Sequence, residues 1–146
     1  MNKKYSTALG NKVHETVYRV IYGDTDAAGV MYNANYLRLF EIGRTEFMRD
    51  WGIPYKSIEE MGFVLPVTES YLRFKSPACY DDLLVIASSL IEMSDKTCRF
   101  HHMISKREKD KYQLVARGFT KLACVNKEGK LRSFPEKIVQ AVSGLI

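Results

Sequence analysis

The stretch NANYLRLFEIGRTEFMRDWGIP, residues 33–54, decides how the rest of the chain must be arranged. Tyr36, Leu39, Phe40, Phe47 and Trp51 recur at helical spacing, with Arg38, Glu41, Arg44, Glu46 and Arg49 interleaved. That is the pattern of a long helix with one apolar face, and Phe47 and Trp51 read as core. Asn33 or Asn35 is placed to cap its start. Gly52 followed by Pro54 ends it. Gly43 in its middle costs about 1 kcal/mol relative to alanine, a cost that makes sense where a helix must lie close to a sheet.

Everything around this helix has the period of a strand. Upstream, VHETVYRVIY (13–22) puts Tyr18, Val20 and Tyr22 on one face and Val17, Arg19 and Ile21 on the other. Downstream, after the polar piece SIEEMGF (57–63), come four alternating runs at 65–75, 81–93, 96–108 and 112–126. Turn-type segments rich in Ser, Pro, Asp, Gly and Lys separate them. Connections this short imply antiparallel pairing. The tail FPEKIVQAVSGLI (134–146) starts with Pro135 and Glu136 and reads as a short terminal helix. One long helix against one antiparallel sheet is a two-layer α+β domain. A sheet wrapped around a single central helix is the hotdog arrangement. Its outer strands are left open, which favours dimerisation by sheet extension. No repeat or linker interrupts the pattern, so residues 1–146 read as a single domain.

Composition narrows the function. The chain of 146 residues is 46% hydrophobic and 12% aromatic, enough for a real core. No apolar run reaches the roughly 18 residues of a membrane span. The N-terminus carries Lys3 and Lys4 but not the apolar stretch of a secretory signal, so the cytoplasm is the expected location. Cys79, Cys98 and Cys124 are too far apart for a C-x-x-C zinc motif and read as free, mostly buried thiols. A net charge of +5 suits nucleic acid or a small polyanion such as a nucleotide or coenzyme A. A basic stripe with interleaved aromatics is lacking, which argues against nucleic acid.

The segment YGDTDAAGVMYNANY (22–36) joins the first strand to the helix. Asp26 precedes the helix by about seven residues, and Gly29 lets the chain turn between them. A helix N-terminus carries partial positive charge and unpaired N–H donors, which can hold a developing oxyanion. A carboxylate beside that carbonyl can act as nucleophile or as general base on water. The same residues are also ordinary loop and cap residues. Asp24 and Asp26 have no third ligand at metal spacing, so no metal is expected. Glu41 is a rival base, or else an ion-pair partner of Arg38 or Arg44. Among the histidines, His14, His101 and His102, no Ser–His–Asp pattern is recognisable; His101 and His102 alternate, one toward the core and one toward solvent.

The same stretch resembles the signature of the 4-hydroxybenzoyl-CoA thioesterase family of hotdog acyl-CoA thioesterases. D-T-D-x-x-G-V, the following N-Y, and F-E and R-x-E of the helix carry the resemblance, which continues more loosely through YDDLL and LACVNKEGKLRSFPEKI. It implies hydrolysis of acyl-CoA without a cofactor, in a dimer or a tetramer of dimers whose cleft is shared between subunits. It implies that Asp26 is the catalytic carboxylate, that Asp24 braces the loop, and that the backbone N–H of Asn33 polarises the thioester carbonyl. Many members carry His or Tyr where this chain has Asn33. Gly29 and Tyr32 fall at substrate-binding positions, with Tyr32 and Phe63 able to line an acyl pocket. Arg73, Lys75, Lys96, Arg99 and Arg132 are candidates for the coenzyme A phosphates. Lys96, in the turn SDKT, sits where the family contacts phosphate from the neighbouring subunit. A hotdog protein that binds acyl-CoA or acyl-carrier protein without turning it over is the alternative.

Overall fold

The computed structural model describes residues 5–146, so Lys3 and Lys4 of the basic N-terminus lie outside the described residues. In chain order it has β1 (His14–Arg19), α1 (Asn35–Asp50), α2 (Tyr55–Glu60), β2 (Phe63–Val64), β3 (Val67–Phe74), β4 (Leu83–Met93), β5 (Thr97–Glu108), β6 (Lys111–Ala123), β7 (Val125–Asn126) and α3 (Glu136–Val142). β1, β4, β5, β6 and β3 form one sheet in that order, all pairs antiparallel, and β2 pairs with β7. The α+β hotdog arrangement expected from the sequence is borne out. No helix among the described residues is long and apolar enough to cross a membrane.

α1 lies across the sheet. Its N-terminal half buries Tyr36, Leu39 and Phe40 against Leu84, Ile86, Ile104 and Val115. Its C-terminal half buries Phe47 and Met48 against Leu90, Phe100 and Leu122, with Ile58 of α2 and Ile138 of α3 closing that end. Each such side chain removed from water contributes about 1.5–3 kcal/mol. Gly43 sits where the two halves meet. A Cβ there would run into Ser88 Oγ and come within 2.7 Å of Ile86 Cγ2, which accounts for a glycine in mid-helix.

Four local expectations give way. The polar piece after α1 is not a plain connector: Tyr55–Glu60 is helical, a run too short to show a period in sequence. α1 is capped by neither asparagine. Ala34 takes the N-cap position without a side-chain bond, because Asn35 turns its Nδ2 to the Asp24 carbonyl at 2.8 Å. The first strand stops at Arg19 rather than Tyr22, because Tyr22–Asp24 forms a 3-10 turn closed by the Asp24 side chain on the Ile21 amide. Finally, both adjacent histidines are buried. His102 faces α1, while His101 on the outer face is 3% exposed. Residues 6–8 run over it: His101 Nδ1 meets the Ala8 carbonyl at 2.7 Å, and Arg99 reaches the Ser6 carbonyl at 3.2 Å.

Candidate active site

The loop from Tyr22 to Tyr36 is built around one buried carboxylate. Asp24 is 2% exposed. Its Oδ2 accepts hydrogen bonds from the Tyr18 hydroxyl at 2.8 Å and the Ile21 amide at 3.0 Å, and its Oδ1 takes Arg38 Nη1 at 3.2 Å. Burial works against the charge, yet the Ile21 amide, the Tyr18 hydroxyl and Arg38 together hold the Asp24 carboxyl below its ordinary value. The Asp24 carbonyl ties down the far side of the loop, accepting both the Tyr32 amide at 2.8 Å and the Asn35 side chain. The bracing role expected of Asp24 fits this geometry.

Asp26 stands two residues on, with its side chain toward solvent. Its own backbone makes the turn: the Asp26 amide donates to the Val30 carbonyl at 2.9 Å, and the Gly29 amide returns to the Asp26 carbonyl at 3.0 Å. Gly29 holds φ at +82° here, a conformation that side chains resist. Asp26 Oδ1 accepts the Ala28 amide at 2.8 Å, and Oδ2 has no hydrogen-bond partner among the described residues.

Asp26 and Asn33 line one cleft of about 520 Å³. Val30, Met31, Tyr36 and Phe74 give it an apolar wall, and Lys75 stands at its edge. Tyr36 meets Phe74 edge-on at 5.1 Å between ring centres. At the helix end, the Asn35 amide turns back to the Tyr32 carbonyl and the Tyr36 amide to the Asn33 carbonyl. The Asn33 amide has no partner among the described residues. Asp26 and Asn33, both singled out from the sequence, thus line the same cleft.

Other candidates are not. Tyr32 is half exposed and outside the cleft wall. Lys96 lies in the β4–β5 turn, whereas Asp26 follows β1 at the other end of β4. Eleven residues of β4 separate them, about 35 Å of strand, so in one chain Lys96 cannot serve this cleft. Arg99 stacks on the Phe119 ring at 3.7 Å, on the outer face. Among the described residues Glu41 makes no close ion pair with Arg38, which goes to Asp24, or with Arg44, whose charge it nevertheless favours, and it lines a different cavity. Arg117 is a cation that sequence reasoning misses. It pairs across the strands with Arg73, and both cations press the Lys75 ammonium below its ordinary value, Arg73 most strongly. The three form a positive cluster of which Lys75 alone lines the cleft, and no carboxylate is paired to it among the described residues. The sequence signal is weak: Arg73 and Lys75 share an i, i+2 face, but Arg117 is remote. Cys98 is inert, its thiol pushed up to about 12 by burial, and no metal-ligand cluster exists among the described residues.

Known proteins resemble this chain over most of its length. The profile of the Thioesterase-like superfamily matches residues 20–142. The acyl-CoA thioesterase YbgC of Haemophilus influenzae is 31% identical over 126 residues, covering 84% of this chain and 89% of that protein. The structure of gentisyl-coenzyme A thioesterase BH1999 superposes with a TM-score of 0.77 at 26% identity, covering 88% of this chain and 99% of the other. A protein of Thermus thermophilus, TT1821, superposes with a TM-score of 0.84 at 30% identity, covering 92% and 98%.

Proposed function

The chain belongs to the Thioesterase-like superfamily, and on that premise we propose that it hydrolyses acyl-CoA thioesters to a free acid and coenzyme A. The observation that carries the reading is the meeting of Asp26 and the unpaired Asn33 amide on one apolar-walled cleft. The thioester carbonyl lies against that amide and the positive end of α1, which stabilise the oxyanion. Asp26 takes a proton from an attacking water, or attacks the carbonyl carbon directly and forms an acyl anhydride that water hydrolyses after the thiolate has left. On either route the C–S bond breaks, and a thiolate of pKa about 8.5 leaves with little acid help. No histidine, metal or cofactor enters.

The acyl group rests on Tyr36 and Phe74. Lys75, Arg73 and Arg117 attract the phosphates of coenzyme A to the cleft edge, and Lys96 contributes only from a second copy. β3 supports that second copy. It is an edge strand paired with β6 alone, and its Val67 and Phe74 are half exposed. Sheet extension there makes a homodimer, two of which form a tetramer. On this reading the chain works as one domain in the cytoplasm.

The test is a thiol-release assay over acetyl-, octanoyl-, palmitoyl- and aromatic acyl-CoA. Asp26→Asn and Glu41→Gln are then compared on the best substrate. Asp26→Asn should lower kcat by about 100-fold or more, as expected for a lost base, with assembly unchanged; Glu41→Gln should cost far less. The reverse order moves the catalytic carboxylate onto α1. Binding of acyl-CoA with no turnover of any substrate supports the non-catalytic alternative.

A further inference from the structure

β1 is the other edge of the five-stranded sheet, paired with β4 alone and at the opposite end from β3. Just past its end the Val20 amide donates to the Asp82 carbonyl at 3.0 Å, in step with the register that sets Arg19 opposite Leu83. Hydrogen-bonded pairs alternate along an antiparallel ladder. Thr16, Tyr18 and Val20 therefore turn their backbone groups to β4, while Glu15, Val17 and Arg19 point theirs out of the sheet. No backbone outside the sheet meets those three among the described residues.

His14 and Tyr18 turn their side chains to the α1 side, onto Phe47 and Asp24. The alternate residues lie on the other face and read Val13, Glu15, Val17, Arg19 and Ile21. Val13 is 44% exposed, Val17 59% and Ile21 55%. This row is self-complementary. Turned antiparallel onto a second copy about Val17, it sets Val17 on Val17, Val13 on Ile21, and Glu15 on Arg19 twice. The same register joins the backbone groups that point outward. A slip of two residues puts Glu15 or Arg19 against Val17. A slip of four puts Glu15 on Glu15 or Arg19 on Arg19, and like charges directly opposite repel. Charges on an edge strand ordinarily keep other chains away; here they admit one register. Arg19 meets the Asp81 carbonyl at 2.7 Å and its carboxylate at 3.8 Å, both through Nη1, which leaves Nε and Nη2 for a carboxylate across the seam.

We propose that β1 is a second seam between copies of this chain, paired antiparallel with Val17 facing Val17, and that it links dimers joined at β3. The seam rests on the reading of β3 as the dimer edge only for the count of copies, and it does not touch the Asp26 cleft. Each dimer carries a β1 edge at both ends, so copies add in twos. Exposed charge pairs are weak and screened by salt, which makes the joint reversible and salt-sensitive.

Sedimentation velocity of the full-length protein from about 1 to 100 μM covers the range in which a joint of this strength dissociates. Dimers should give way to tetramers as concentration rises, and added salt should move the change to higher concentration. Glu15→Arg and Arg19→Glu should each raise the dissociation constant about tenfold or more, because each sets like charge on like twice. The double variant restores unlike pairs and should return to within about threefold of the parent. Cross-linking fixes the register, in a Cys79→Ser background that removes the exposed native thiol. Val17→Cys should join two copies by a disulfide, since its partner Cα stands about 5.5 Å away. Glu15→Cys should not, since its twin lies about 13 Å along the strand. A parent that is dimeric throughout and becomes monomeric in Glu15→Arg keeps the β1 seam and removes the one at β3. Assembly that neither reversal moves, a double variant that fails to recover, or cross-linking through Glu15→Cys and not Val17→Cys overturns the β1 seam and leaves the proposed hydrolysis intact.

Discussion

Replacing Asp24 by asparagine tests whether one buried charge holds the loop that carries Asp26. The carboxylate accepts three hydrogen bonds, from Tyr18, Ile21 and Arg38. The amide of Asp24→Asn could keep its one oxygen on Tyr18 and Ile21, but its NH₂ would then face the Arg38 guanidinium, donor against donor. Two bonds lose their charge assistance, about 1 kcal/mol each. The Arg38 side chain is 53% exposed, so that ion pair adds no more than about 1 kcal/mol. The sum, about 2–3 kcal/mol, corresponds to a fall in Tm of roughly 10 °C for a chain of this size. The sign with pH follows from the depressed carboxyl. Its stabilisation is complete above the unfolded value near 3.9 and is lost as pH falls through the folded value. Urea denaturation of both proteins at pH 7 and below about 4 checks this: the gap should be full at pH 7 and close in acid. Activity should fall as well, because the Asp24 carbonyl and side chain clamp both ends of the loop. A gap below about 0.5 kcal/mol at pH 7, the range of an ordinary surface change, would refute the bracing role.

Four further outcomes are expected. Gly43→Ala gains about 1 kcal/mol of helix propensity but drives a methyl into Ser88 and Ile86; overpacking costs about 1–3 kcal/mol, so calorimetry should show a net loss of Tm. His102 and His101 are both held below their ordinary value, chiefly by burial. Stability should therefore fall as pH drops below about 6.5, by up to about 1.4 kcal/mol per pH unit for each histidine. Urea midpoints at pH 7, 6 and 5 measure this, and His102→Gln should flatten the slope. Lys75→Ala should raise KM for acyl-CoA with little change in kcat and weaken the salt dependence of KM, since exposed charges are screened over about 8 Å at physiological ionic strength. Asn33→Ala keeps the backbone amide, so steady-state kinetics should place its kcat within about 3-fold of the parent, well short of the 100-fold or more that follows loss of an oxyanion donor.

Legibility tracks the distance over which each feature is encoded. α1 and the strands write their burial into local periodicity, and Asp26, Gly29 and Asn33 lie within one turn and one helix start. α2 escapes because six residues cannot establish a period. The N-cap is misread because Asn35 answers to Asp24, eleven positions back, rather than to its own helix. Burial of His101 depends on a segment 93 residues away, and the cluster of Lys75 with Arg117 depends on strand register. Lys96 follows from the motif, but only the order of strands shows that it stands at the far end of the sheet from its own Asp26.

The short tether between Asp26 and Asn33 has a consequence for how such a protein can change over evolutionary time. Acid and amide ride on a single loop, stapled at both ends to Asp24. The apolar wall of the cleft, by contrast, is drawn partly from Phe74 and Pro77, on the stretch that ends β3 and far in sequence from the loop. The reacting geometry is therefore a cassette that drift in the sheet edge does not deform. On the proposed mechanism, substitutions at the wall retune which acyl group is accepted without resetting the distance between Asp26 and the Asn33 amide. Chemistry and selectivity are inherited on different pieces of the same cleft, and each can be mutated, recombined or redesigned while the other is held constant.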